Sequence, residues 1–280
     1  MVGRGSGRLP GASAWAYLKL YCGADRAAEL LTTRLPGLLS QGETDAPLWW
    51  FTRYHDPDHH LRLRMRLPHP GFFGDAARRV AAWAAELRQE GLVQRLQWDT
   101  DEPETGRYGT GTALEAAEGV FAADSAAALA QLALPIPDRL RTAVTAAGFV
   151  DLASGLLGSP AAARRWLVSN LSQTEGDAVP RDVLRVAVRL AEPDPARRAL
   201  HDLPGGDRVA AAWSLRRDAL AAYRNALEGH GLDEAAVLPS LLHMHHNRTS
   251  GIAPEAEATC RRLARAAALS WATRTEGASR

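Results

Sequence analysis

The strongest constraint on the fold is a run of strictly alternating residues, His60-Leu61-Arg62-Leu63-Arg64-Met65-Arg66. Side chains of a β-strand point to opposite faces with a period of two, so this run predicts a strand with one apolar and one cationic face. A second apolar run, Leu48 to Tyr54, precedes it, and turn residues lie between the two at Asp56, Pro57 and Asp58. The segment therefore predicts two neighbouring strands joined by a short connection.

The cationic face of this strand requires a source of negative charge. His60, Arg62, Arg64 and Arg66 are expected on one face, and Arg53 lies at the end of the preceding strand. Guanidiniums on one face repel each other unless an anion lies between them. That anion is either a bound substrate or an Asp or Glu from elsewhere in the chain, and the alternation alone leaves both alternatives open.

The order of predicted elements indicates an α+β fold. A strand over 15–22, a helix over 24–39 that is interrupted near Pro36, the two strands above, a helix over 73–90 and a strand over 92–98 fill the first hundred residues. Alanine-rich helices follow. They are predicted at 113–132, 137–152, 161–172, 181–190, 207–228, 233–247 and 254–273. We expect a disordered lead-in at 1–13 and a single domain at 14–275, in which a mostly antiparallel sheet packs against the helices and the cationic face lines a cleft.

The composition excludes several classes of function. The chain has 33 basic and 32 acidic residues, which gives no bulk charge for binding nucleic acid or a membrane surface. It has no apolar run of about 18 residues, as a membrane span needs. Its two cysteines, Cys22 and Cys260, lack metal or redox spacing and are predicted to be buried free thiols. We therefore expect a soluble cytoplasmic protein.

A polar segment, Asp99 to Gly109, is predicted to be a loop between the last strand and the helices. Loops supported by a sheet are frequent positions for functional side chains. Glu104 and Arg107 lie three residues apart in this loop, a spacing that suits a local ion pair as well as a functional pair.

A histidine-rich segment, Ser240 to Arg248, is predicted to be helical. Helical spacing places His243, His246 and Asn247 on one face and directs His245 away. Two histidines at i and i+3 without a third ligand give little support for a metal, so a proton donor or acceptor and a packed structural histidine are the readings that remain. In another helix, Asp124 and Ser125 are predicted to end or kink it through local hydrogen bonds.

Together these segments resemble a known family. Trp50-Phe51-Thr52-Arg53-Tyr54 with His60-Leu61-Arg62-Leu63-Arg64, then Glu104-Thr105-Gly106-Arg107-Tyr108-Gly109, then Phe121 with Asp124-Ser125, then His243-Met244 with Asn247-Arg248 follow in that order. They are similar to the C-terminal elimination domain of lanthipeptide dehydratases, which also occurs alone as the thiopeptide-type bacteriocin biosynthesis protein. The resemblance runs from about Trp15 to Ala272.

The resemblance implies a lyase without a cofactor or metal. It would act on the leader and core of a ribosomally made precursor peptide whose Ser or Thr hydroxyls a separate glutamyl-tRNA-dependent protein has glutamylated, and it would expel glutamate to leave dehydroalanine or dehydrobutyrine. Thiopeptide pyridine synthases resemble the same domain, and they join two dehydroalanines by a formal [4+2] cycloaddition with loss of the leader. We rank elimination first, pyridine formation second, and a non-catalytic subunit that binds the leader at a sheet edge third.

The resemblance also implies roles for individual residues. Arg62 or Arg64, together with Arg107, would clamp anions, Glu104 would orient groups or move a proton, and His243 would donate or accept a proton. The remaining candidates are expected to bind the substrate. They are Arg53, His60, Tyr108, His246, Asn247 and Arg248.

Overall fold

The structure is a computed structural model that describes residues 7–40 and 48–277, with side chains described to residue 271. The first six residues of the predicted lead-in lie outside the described residues. The chain forms two compact units that divide after Gly106. The first unit contains the sheet, and the second unit is helical.

The first unit is built around a four-stranded antiparallel sheet. Its strands are β1 (Trp15–Tyr21), β2 (Trp49–His55), β3 (His59–Arg66) and β4 (Arg95–Trp98), in the spatial order β2-β3-β1-β4. The pair predicted from the alternating run is confirmed, because β2 and β3 are adjacent and pair from Trp49 opposite Met65 to His55 opposite His59.

The two faces of β3 differ as its alternation predicts. Leu61, Leu63 and Met65 are at most 5% exposed. Leu63 lies opposite Leu18 of β1 and Phe51 of β2, so three apolar side chains meet across neighbouring strands on the same face. Burial of such residues contributes on the order of 2 kcal/mol each, and a shift of one residue in register would reverse the faces.

In the first unit, α3 (Phe73–Gln89) matches its predicted helix, whereas the helix predicted over 24–39 contains a π-helical segment. α3 follows a single 3₁₀ turn and buries the predicted stripe of Val80, Trp83 and Leu87. The helix predicted over 24–39 is instead α1 (Ala27–Glu29), a π-helical segment (Leu30–Arg34) and α2 (Leu35–Ser40). The wider turn precedes Pro36, which has no N–H to continue the regular hydrogen-bond ladder.

Residues 7–13 differ from the predicted disordered lead-in. Arg8 and Asp101 form an antiparallel bridge, with N–O distances of 2.8 and 3.1 Å in the two directions. The Arg8 guanidinium also lies 3.3 Å from the Asp101 carboxylate. A glycine-rich sequence gives no periodic signal for such a contact, which is made with a residue far along the chain.

The second unit is helical throughout its described elements. The short helix α4 (Thr105–Tyr108) spans the division between the units, inside the segment that was predicted to be a loop. Seven of the helices that follow match the predicted ones, with boundaries shifted by a few residues, whereas the short α9 was not predicted. They are α5 (Thr112–Leu132), α6 (Asp138–Leu156), α7 (Pro160–Asn170), α8 (Arg181–Leu190), α9 (Arg198–His201), α10 (Gly206–Gly229), α11 (Glu234–Ser250) and α12 (Pro254–Gly277).

The α+β fold class is therefore confirmed. α6 lies at the centre of the second unit and packs against α7, α8, α10, α11 and α12. Cys22 and Cys260 are both buried free thiols, as predicted. None of the described helices is long and apolar enough to cross a lipid bilayer.

Candidate functional site

The cationic face of β3 holds its two central arginines in different ways. Arg64 Nε donates to Asp101 Oδ1 at 2.6 Å, and its guanidinium lies 4.3 Å from the ring centre of Tyr17. Arg62 Cζ lies 3.3 Å from the ring centre of Tyr54, and Arg62 Nε lies 3.3 Å from His60 Nε2. A buried carboxylate thus offsets the charge of Arg64, whereas two rings orient Arg62. An internal Asp is therefore the anion for Arg64.

The side chains beside this arginine row complete the polar face. Lys19 of β1 lies opposite Arg62 and forms an ion pair with Asp99. The hydrogen bond that Lys19 donates to Asp99 raises the pKa of Lys19, so the ammonium stays charged. Burial lowers the pKa of His60, which favours its neutral imidazole. Arg62, Arg64 and Lys19 thus form a cationic row, with His60 neutral at its end.

Arg53 lies on the other face of the sheet. It is paired with Leu61 in the register between β2 and β3, and directly opposed residues point to the same side. Burial lowers the pKa of Arg53 to about 10, which still leaves the guanidinium charged at neutral pH. Its expected role in substrate binding therefore does not involve the cationic face.

Arg107 of α4 contacts α11 at Ser240, three residues before His243 on the same helix. Glu104 is exposed and directly precedes α4, in which Arg107 is also exposed. Arg107 Nη1 donates to Ser240 Oγ at 3.4 Å. Ser240 and His243 are three residues apart on α11, so their side chains are neighbours. The second unit thus places a guanidinium close to an imidazole.

His243 is held by a carboxylate on the next helix. Its Nδ1 lies 2.8 Å from Glu257 Oε2 of α12, and Arg261 Nε lies 3.0 Å from the other oxygen of Glu257. Burial opposes ionisation of Glu257, but the hydrogen bonds from His243 and Arg261 lower its pKa to about 2. The His243 side chain is 52% exposed. Glu257 therefore orients the ring through Nδ1 and leaves Nε2 to exchange a proton.

Four of the predicted substrate-binding residues are buried. They are Tyr108, His246, Asn247 and Arg248, each at most 5% exposed. The Tyr108 ring packs edge-on against Phe121, and its carbonyl oxygen accepts a hydrogen bond from the Tyr223 hydroxyl at 3.0 Å. Arg248 forms an ion pair within the helical core. The structure thus places these four side chains in the packed interior, and their role in substrate binding stays a prediction.

A buried ionic network lies at the centre of the second unit. Asp124 of α5 accepts from Arg216 Nη1 of α10 at 2.7 Å, from His245 Nδ1 at 2.7 Å and from Arg248 Nη1 at 2.8 Å. Burial alone would raise the pKa of Asp124, but His245, Arg248 and Arg216 hold it well below its usual range. A second carboxylate, Asp151 of α6, accepts from Arg216 Nη2 at 2.9 Å. Arg216 therefore bridges two buried aspartates.

His245 is the neutral member of this network. Its burial, reinforced by Arg216 and Arg248, lowers its pKa. Its Nδ1 lies 2.7 Å from Asp124 Oδ1 and 3.2 Å from Arg216 Nη1, and its Nε2 lies 3.4 Å from Gln131 Nε2. A carboxylate can only accept, so the contact with Asp124 favours a proton on Nδ1. A Cβ at Gly148 would lie 2.3 Å from His245 Nε2, so this close approach of α6 to α11 requires glycine.

The sequence analysis missed this network. The expectation that Asp124 and Ser125 end or kink their helix is wrong, because α5 continues to Leu132. Ser125 Oγ does bond locally, to Phe121 O at 2.8 Å, but Asp124 pairs across helices. His245 points away from the exposed His243, as helical spacing predicted, and that direction leads into the core. An Asp among alanines and leucines was the available signal, because a buried charge needs partners.

His246 makes the stability of the second unit depend on pH. Burial lowers its pKa to about 4, and its Nε2 has no hydrogen-bond partner among the described residues. In the unfolded chain His246 takes up a proton near pH 6.5, whereas in the folded chain it stays neutral until about pH 4. The contribution of His246 to the free energy of unfolding is therefore complete above pH 6.5 and falls as the pH drops towards 4. We expect protonation of His246 in the unfolded chain to lower the free energy of unfolding by about 2 kcal/mol between pH 8 and pH 5.

The variant His246→Leu removes the contribution of His246 to the pH dependence of stability. Its free energy of unfolding, measured with urea, should fall by about 2 kcal/mol less than that of the wild type between pH 8 and pH 5. His230→Leu, an exposed histidine of the same unit, is the matched control and should retain the wild-type difference. Equal pH dependence in all three proteins would show that His246 does not titrate on unfolding.

The protein is an α+β protein whose antiparallel sheet has a cationic face and whose helical unit carries an exposed imidazole paired with a carboxylate. Within 7–40 and 48–277, no group of His, Cys, Asp and Glu side chains suits a metal ion. Residues 15–268 match the family model described as lantibiotic biosynthesis dehydratase C-term. The chain belongs to this family, which confirms the resemblance drawn from its motifs.

Two relatives show how much of a longer protein the match covers. The subtilin biosynthesis protein SpaB of Bacillus subtilis is 34% identical over 118 residues, which is 40% of this chain and 11% of SpaB. The nisin biosynthesis protein NisB of Lactococcus lactis subsp. lactis is 30% identical over 111 residues, 40% of this chain and 11% of NisB. The matched region is therefore a small part of each relative.

Two solved structures share the fold. The tRNA-dependent lantibiotic dehydratase MibB from Microbispora sp. 107891 superposes with a TM-score of 0.77 at 25% identity, covering 94% of this chain and 28% of MibB. The structure of TsrL superposes with a TM-score of 0.53 at 16% identity, covering 93% of this chain and 96% of TsrL, and this likeness concerns the fold alone.

Proposed function

We propose that this protein eliminates glutamate from glutamylated Ser or Thr residues of a ribosomally made precursor peptide, leaving dehydroalanine or dehydrobutyrine. Membership of the dehydratase C-terminal family supports a role in peptide maturation. The observation that carries the reaction type is the exposed His243, held at Nδ1 by Glu257 and three residues along α11 from the Ser240 that binds Arg107.

The reaction needs the groups that these residues supply. A base removes the proton from Cα, its electron pair becomes the Cα=Cβ double bond, and the Cβ–O bond breaks to release the glutamate carboxylate. No other reactant is consumed. Negative charge develops next to the peptide amide and on the leaving group, and a positioned guanidinium stabilises both. His243 moves the proton, and Arg107 stabilises an anion.

In the first unit, the arginines of β3 are proposed to bind an anionic group of the precursor peptide. Tyr54 and His60 orient the guanidinium of Arg62. This orientation involves no ion pair that a substrate would have to break. Arg64 is already paired with the buried Asp101. We therefore choose Arg62 as the primary anion clamp, a choice that the sequence left open, and Arg64 as the residue that supports the cationic row. Glu104, exposed before α4, is proposed to orient the substrate.

A defined substrate tests the reaction. The purified protein is incubated with a precursor peptide that carries one glutamylated serine, without tRNA or ATP, and the products are weighed by mass spectrometry. We expect release of glutamate and one dehydroalanine per peptide. A parallel reaction contains the same peptide with the serine free, which should remain unchanged because hydroxide is a poor leaving group compared with a carboxylate.

A second substrate separates the competing reactions. A fully dehydrated peptide with two dehydroalanines is incubated in the same way. Ring closure with loss of the leader in this tube, and no release of glutamate in the first, would assign pyridine formation in place of elimination. Binding of the peptide with no change in mass in either tube would assign the leader-binding role.

A further inference from the structure

A cleft in the second unit is lined in part by Asp151 of the buried network, and His243 is not among its lining residues. It has a volume of about 430 Å³ and opens among α6, α8, α9 and α10. Its wall combines the guanidiniums of Arg197 and Arg217 with the exposed rings of Pro193 and Pro195, and the buried Trp213 lies beneath them in the lining. The proposed elimination uses none of these residues.

Arg197 lies in the wall of this cleft with part of its hydrogen-bonding capacity unused. It is 9% exposed, and its Nη1 donates to Asp151 Oδ1 at 3.0 Å. Its Nη2 is buried and has no hydrogen-bond partner among the described residues, and the same is true of Trp213 Nε1. Two buried donors without acceptors in one wall are unusual, because nearly all buried polar groups are paired.

The backbone conformation at Arg197 is strained. Arg197 has φ +49°, in the left-handed region that non-glycine residues rarely adopt. The preceding turn is fixed by Asp194, whose carboxylate accepts from the backbone N–H groups of Ala196 and Arg198. Strain of this kind is typical of sites where a side chain must be directed at a ligand.

The charges around Asp151 leave a local excess of cations. Asp151 is ion-paired with Arg197, Arg216 and Arg217, and Arg216 also pairs with Asp124. Burial lowers the pKa of Arg197, which is the direction expected where opposite charge is insufficient. The other ion pairs of the wall, Arg189 with Asp202 and Arg198 with Asp194, are each balanced.

We infer that this cleft binds a carboxylate attached to an apolar or amide body, with Arg197 and Arg217 holding the carboxylate and Pro193 and Pro195 packing against the body. A monoanion fits better than a dianion such as phosphate, because four acidic residues, Asp151, Glu192, Asp194 and Asp202, also lie in the wall. The volume exceeds that of a carboxylate alone, which leaves room for a chain of amino-acid size. This inference does not rest on the proposed elimination.

Calorimetric titration tests the site with defined probes. Isovalerate, a monoanion at neutral pH, represents a free small acid, and the capped tripeptide acetyl-Leu-Glu-Gly-amide represents an acidic side chain of a peptide. The matched neutral peptide carries Gln in place of Glu, and inorganic phosphate is the dianionic control. We expect saturable binding of at least one carboxylate probe and none of the Gln peptide, and whichever carboxylate binds more tightly identifies the source of the ligand.

Variants assign the binding to this cleft. Arg197→Gln should weaken the carboxylate probe by about tenfold or more, the loss of one charge-assisted hydrogen bond. Arg217→Gln, at the more exposed side of Asp151, is the second variant if Arg197→Gln does not fold. Arg185→Gln, exposed on α8 and outside the cleft, should bind as the wild type does. The inference is overturned if no carboxylate saturates, if the Gln peptide or phosphate binds equally well, or if the folded variants retain full affinity.

Discussion

Replacing His243 with Gln lowers the rate of glutamate elimination from a glutamylated peptide by about a hundredfold or more. In the proposed reaction the exposed imidazole moves the proton, and general acid–base catalysis by one side chain contributes about 10² to 10⁴ in rate. That loss corresponds to a barrier higher by about 3 kcal/mol. Gln keeps the size and a polar end but cannot exchange a proton, so binding of the peptide should change little.

Two further variants separate the proton transfer from its support. Glu257→Gln keeps the shape of the partner of His243 but removes its charge, and we expect a loss of kcat of about tenfold with KM unchanged, because the ring is less well oriented. His230→Gln, an exposed histidine of the same unit, should retain wild-type kcat. Wild-type elimination by a folded His243→Gln protein would mean that another group moves the proton, and the family assignment would stand unchanged.

The sheet followed from the sequence because its signal is local. Alternation at His60 to Arg66 determines which side chains share a face, and a register error would bury three arginines, so only one pairing with β2 is acceptable. The lengths of the helices followed from apolar periodicity and from Gly and Pro at their ends. The π-helical turn at Leu30–Arg34 did not, because its residues fit an ordinary helix equally well.

The candidate site followed only in part, because partners distant in sequence carry no local signal. His243 and Arg107 were identified by motif. Glu257, which contacts His243, lies on another helix, where the sequence pattern is that of an ordinary exposed acidic residue. Asp124 and Asp151 were missed for the same reason. Each sits in an alanine-rich helix, and the arginines that neutralise it come from 46 to 124 residues further along the chain.

Replacing Asp124 with Asn destabilises the second unit by about 3 to 5 kcal/mol, the cost of removing one partner from a buried charge network. Arg216 and Arg248 would then remain buried beside a neutral amide that cannot offset their charge, and His245 would lose the acceptor of its Nδ1–H. Urea unfolding measures the change, which is a large part of the 5 to 15 kcal/mol that typically stabilises a domain.

The control for this prediction is Glu115→Gln, an exposed acid on the same helix, which should change the free energy of unfolding by less than about 0.5 kcal/mol. If Asp124→Asn were as stable as this control, the guanidiniums would be solvated in the folded protein and the network would not be a closed, dry one. A large loss restricted to Asp124→Asn has a further consequence for function. Because His245, Arg248 and His243 share α11, the buried carboxylate then fixes the helix that presents the exposed imidazole.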